Sequence, residues 1–202
     1  MKNCLKIDNT LKIIEGVSIG GIDFTLNLDT LKYTSKFRIS CGYEIILSIS
    51  NDLILSINFI SEKVTIYYDL EFGKVSKIKA SNGYVGSWNN RFIVGKFRLS
   101  DILEFDWTFE QMTPGMITSE NFKGIGFLVP DSIKEFADFE GKGKGVSEMV
   151  RTNDFLIEDL VIFPKIIGNK NLWEFYEPFI WDENIKKLRY ESNYINFKKR
   201  KL

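Results

Sequence analysis

A chain of 202 residues that is 44% apolar and 27% charged has the composition of an ordinary folded domain, and its 27 Lys/Arg are matched by 27 Asp/Glu. It has no histidine, which removes the commonest general base, the commonest metal ligand and every Ser-His or Cys-His dyad together. The zero net charge hides a segregation: residues 101–160 hold thirteen Asp/Glu against five Lys/Arg, and the last eighteen residues hold seven Lys/Arg against Glu191.

The opening Met1-Lys2-Asn3-Cys4-Leu5-Lys6-Ile7-Asp8 is charged early and is followed by no apolar h-region, so no secretory signal is expected and the cytoplasm is the expected location. Cys4 and Cys41 lack CxxC spacing and read as free thiols. Next comes the phrase Gly21-Ile22-Asp23-Phe24 running into Leu28-Asp29-Thr30-Leu31, a strand handing over to a short helix.

Between 43 and 70 the apolar residues Ile45, Leu47, Ile49, then Leu53, Leu55, Ile57, Phe59, then Val64, Ile66, Tyr68 recur at every second position, which predicts three strands. Ser50-Asn51-Asp52 and Ser61-Glu62 supply turns too short for anything but antiparallel neighbours, giving a meander with one wet face. The apolar run from Ile45 to Ile60 is broken by six polar residues and falls short of the ~20 that a membrane span needs, so no membrane insertion is expected. A fourth strand is predicted from Lys74 to Ala80, and Asn82-Gly83 and Trp88-Asn89-Asn90 mark a loop before Arg91-Phe92-Ile93-Val94.

The strand-to-helix phrase recurs as Gly95-Lys96-Phe97 into Leu99-Ser100-Asp101-Ile102-Leu103, and as Gly124-Ile125-Gly126-Phe127 into Pro130-Asp131-Ser132-Ile133. Ser100 and Asp131 stand where N-caps would, although the uneven spacing of the copies argues against a solenoid. The run Gly141-Lys142-Gly143-Lys144-Gly145 has a phosphate-loop composition but follows an acidic helical segment instead of leaving a strand, so it reads as a linker. It divides the chain into a mostly antiparallel β unit with short helices (1–140), a Gly/Lys linker or loop (141–147) and an aromatic-rich C-terminal unit (148–202), packed together as one α+β protein.

In the last unit, Phe155-Leu156-Ile157-Glu158-Asp159-Leu160-Val161-Ile162-Phe163-Pro164 is apolar enough for one buried strand or a short helix, and periodicity does not choose between them. Trp173, Phe175, Tyr176, Phe179 and Trp181 are interleaved with Glu174, Glu177 and Asp182, which would repel phosphate. The basic end Lys198-Lys199-Arg200-Lys201 neutralises few phosphates, so nucleic acid is not the expected partner.

Without histidine, the candidate catalytic groups are carboxylate pairs: Glu104 with Asp106, Asp131 with Glu135, and Glu158 with Asp159. They allow a carboxylate-dependent, Mg²⁺-assisted enzyme, but solvated acids account for them more simply, and no catalytic, metal or cofactor site is assigned. Taken as a surface, the 101–160 block would steer a basic partner and speed its association.

The phrase Glu15-Gly16-Val17-Ser18-Ile19-Gly20-Gly21-Ile22 followed by Leu28-Asp29-Thr30-Leu31 resembles the glycine-strand-to-helix opening of small immunity proteins from bacterial polymorphic-toxin and contact-dependent inhibition systems. That resemblance implies tight, non-catalytic binding of one basic toxin domain, with no metal or cofactor. The interface is then expected on Glu104, Asp106, Glu110, Asp131, Glu135, Asp138 and Glu140, with Trp107 and Phe109 as anchors. A phage or mobile-element protein that antagonises a host system by binding is the alternative of the same kind.

Overall fold

Alternate residues of a strand point to opposite faces, which puts one face into a core, and the rows so formed run across a single large sheet. The computed structural model describes residues 6–26, 45–50, 54–69, 73–106, 109–113, 115–119, 121–130 and 153–164. Its elements in chain order are β1 (Ser18–Ile19), β2 (Ile22–Asp23), β3 (Ile45–Ile49), β4 (Ile54–Phe59), β5 (Val64–Asp69), β6 (Lys74–Ser81), β7 (Ser87–Trp88), β8 (Phe92–Ile93), α1 (Leu99–Phe105), β9 (Phe109–Thr113), β10 (Met116–Ser119), β11 (Ile125–Leu128) and β12 (Asp159–Ile162).

Eight of the strands form one antiparallel sheet in the order β3-β4-β5-β6-β12-β11-β10-β9. The predicted meander is β3 to β6. The apolar run beyond Phe155, left open between strand and helix, enters as β12 between β6 and β11. Leu160, Val161 and Ile162 are all buried there, so this inner strand shows no alternation to read. The expected linker at 141–147 lies outside the described residues.

On the core face, Phe59, Val64, Ala80, Leu160, Phe127 and Ile117 stand opposite one another from β4 to β10 and are fully buried. Ile57, Ile66, Ile78, Ile162 and Ile125 make a parallel row. The reverse face carries Asn58, Thr65, Lys79, Val161, Gly126 and Thr118 in register. It is wet at Ile46 and Ser48, whereas Thr65, Asp69 and Val161 are buried. Neighbours satisfy much of its polarity: the Thr65 hydroxyl donates to Asn58 Oδ1 at 3.3 Å, and Lys79 Nζ lies 3.4 Å from Asp159.

Two tight hairpins and α1 form the layer over the core face. β1–β2 turns on Gly20-Gly21 at φ +61° and +80°, the left-handed pair that a two-residue turn requires, and Asn89-Asn90 are likewise left-handed, at φ 50° and 56°, in the three-residue connection between β7 and β8. Trp88 stacks on Phe92 with centroids 5.3 Å apart and meets Phe105 of α1, Phe122 and Phe127 of β11 edge-on. Hairpin, helix and sheet thus share one aromatic cluster.

The first segment is fastened by backbone. The Ile13 N–H donates to the Ser87 carbonyl at 2.9 Å, and the Gly124 carbonyl accepts from Gly16 at 3.1 Å and from Phe163 at 2.9 Å. Buried Tyr84 completes the attachment, its hydroxyl donating to the Leu11 carbonyl at 2.7 Å and accepting from the Gly20 N–H at 2.9 Å.

Candidate interaction surface

Helix α1 follows the second strand-to-helix phrase, as predicted, but Arg98 is its N-cap and Ser100 lies inside its first turn. A side chain 54 positions away explains the shift. Asp154 Oδ1 accepts the Ser100 N–H at 3.0 Å, Asp154 Oδ2 accepts the Ser100 hydroxyl at 2.8 Å, and Asp101 reaches back to the Arg98 N–H at 2.7 Å. Two carboxylates therefore satisfy first-turn amides and sit at the positive end of the helix. The Gly95–Phe97 part of that phrase forms no named strand, but Gly95 donates to Ile157 at 2.7 Å and Ile157 to Phe97 at 2.9 Å, with Arg98 bridging Leu156.

This pairing folds the acidic block back on itself. Near its opening, Asp101 caps α1 from within, and near its close Asp154, 54 residues beyond Ser100, caps the same turn. Glu104 and Glu158 are exposed, while Arg98 approaches Asp154 at 3.9 Å and offsets part of the charge. Exposed charges such as these are easily screened by salt, and their reach grows only as ionic strength falls.

The candidate interface residues separate into groups. Glu104 is exposed on α1. Asp106 is buried at the helix C-cap: its N–H donates to the Ile102 carbonyl at 2.8 Å, and its carboxylate accepts from the Ser119 hydroxyl at 2.8 Å and from Asn121 Nδ2 at 3.3 Å. Asp106 thus ties α1 to the end of β10. Phe109 and Glu110 belong to β9, their backbones opposite Ser119 and Thr118. Trp107, Asp131, Glu135, Asp138 and Glu140 lie outside the described residues, as does the predicted helix after Pro130.

Sequence patterns did not point to several features of the surface. Leu11, Ile14, Val17 and Val85 are exposed by 44–56% and gather on the first segment and its neighbour, since the Val85 N–H donates to the Asn9 carbonyl at 3.0 Å. On the reverse face of the sheet, Lys77 Nζ lies 4.4 Å from the Tyr67 ring centroid, and burial together with nearby Lys79 lowers its pKa. Among the described residues, no three His, Cys, Asp or Glu side chains gather closely enough to hold a metal ion, and no helix is long and apolar enough to cross a membrane.

These features define an antiparallel β-sheet protein of the α+β class. No family model, curated protein or solved structure matches the chain.

Proposed function

We propose that this chain is a non-catalytic binding protein of the immunity type, which neutralises a basic toxin domain by receiving it on an acidic surface. The reading is supported chiefly by Asp154, from near the close of the acidic block, standing at the start of α1 beside Asp101 and on the same element as exposed Glu104. The block holds thirteen acids against five bases along sixty residues of sequence, and an excess of that sign accelerates encounter with a cationic protein. The apolar side chains Leu11, Ile14, Val17 and Val85 add contact area of the kind protein partners bury.

The test begins with the gene neighbourhood, where a secreted toxin is expected, and continues with stopped-flow association of this chain with that toxin's purified domain. Charge reversal at the exposed Glu104 and Glu158, or at Asp131, Glu135 and Asp138 together, is expected to slow association roughly tenfold at low salt and far less at high salt. Unchanged rates, or a gene neighbourhood of phage structural genes with no toxin, would overturn the reading.

A further inference from the structure

The two ends of the large sheet are unlike. β9 carries Glu110 and pairs with β10 through a register shift between Met116 and Ile117, two devices that discourage a further strand. At the other end, β3 reads Ile-Ile-Leu-Ser-Ile, without charge, proline or glycine, and pairs with β4 over five unbroken positions from Ile45↔Phe59 to Ile49↔Leu55. Among the described residues no strand lies beyond it.

The bonding pattern shows what that edge presents. The Ser50 N–H donates to the Ile54 carbonyl at 3.0 Å, one step past the Ile49↔Leu55 pair. Opposed residues in an antiparallel ladder alternate between exchanging both hydrogen bonds and exchanging none. Ser48/Ser56 and Ile46/Asn58 are therefore the bonded pairs, and the N–H and C=O groups of Ile45, Leu47 and Ile49 point away from β4. Ile46, 41% exposed, stands on the wet face beside this row, with exposed Ser48.

We propose that β3 pairs with β3 of a second copy of this chain, antiparallel about a two-fold axis at Leu47, so that one sheet runs through a dimer. In that register Leu47 opposes Leu47, Ile45 opposes Ile49, and each opposed pair exchanges both hydrogen bonds. Ile46 covers Ser48 of the other copy on the wet face. The strand suits its own copy because it is uncharged, so a two-fold brings no like charges together, and because this parity keeps every residue on its own face of the sheet.

The test is sedimentation equilibrium of the chain alone, so its outcome is independent of the toxin reading. The wild type is expected to dimerise. Ile46→Lys with Ser48→Lys sets lysine against lysine twice across the axis and is expected to weaken the dimer roughly tenfold or more. Ile46→Lys with Ser48→Glu sets opposite charges together and is expected to restore it. Both positions are exposed, and circular dichroism checks that each variant is folded. A wild type that stays monomeric throughout the concentration series overturns the proposal, and so does a dimer equally stable in both double variants. Slowed amide exchange at Leu47 and Ile49 that appears only on adding the toxin domain overturns it in favour of a strand from that partner.

Discussion

At the scale of single residues, Tyr84 shows how one buried polar group can carry a long-range connection. Its hydroxyl joins the Gly20 N–H to the Leu11 carbonyl, 64 and 73 positions distant. Burial, opposed by the Gly20 hydrogen bond and aided by nearby Asp8, pushes its pKa up to about 12. The unfolded chain ionises this tyrosine near pH 10 while the fold holds the proton, so the stability it contributes is complete below about pH 10 and is lost progressively toward about 12. Tyr84→Phe leaves both backbone groups without this partner and is expected to cost about 1–3 kcal/mol near neutral pH by urea denaturation. The gap between wild type and variant is expected to narrow from pH 10 upward, and a constant gap would contradict the assignment. Nothing in the sequence marks Tyr84, because its partners are main-chain atoms of a segment that arrives only through folding. Asp106 misleads for a related reason: it reads as one more acid in an acidic stretch, yet it is buried against Ser119 and Asn121.

At the scale of elements, legibility followed the range of the determining interaction. β3 to β6 and the Asn89-Asn90 turn are set by neighbours, and their alternation and turn residues sufficed to find them. The start of α1 is set from a distance, so a local reading chose Ser100 where Asp101 and Asp154 do the capping. Asp154→Ala is expected to destabilise the protein by about 1–2 kcal/mol in thermal or urea unfolding, while Asp154→Asn, which keeps an acceptor for the Ser100 N–H, costs less. Hydrogen exchange should localise the loss to the first turn of α1 and to the Gly95–Leu99 pairing with Phe155–Ile157; fraying elsewhere would count against this role.

At the scale of the whole molecule, composition was a fair guide to class and a partial guide to surface. The α+β antiparallel architecture was readable because the apolar residues of β3 to β5 recur at every second position and short turns join them. The capping of α1 by Asp154 was not, because 54 residues separate Ser100 from Asp154 and no periodicity spans such an interval. The same separation governs how the sheet is completed. β12 sits between β6 and β11, although among the described residues the chain makes it last of the strands. During synthesis, β3–β6 and β9–β11 are thus two half-sheets whose inner edges, Lys74–Ser81 and Ile125–Leu128, wait bare for a strand that has yet to be translated. A chain ended at Arg151 is expected to aggregate or to bind chaperones, read by light scattering and co-purification, with partial rescue when residues 153–164 are supplied as a peptide. For a nascent chain, then, the vulnerable interval is the translation of residues 129–162, when both half-sheets are made but the seam between them is still open.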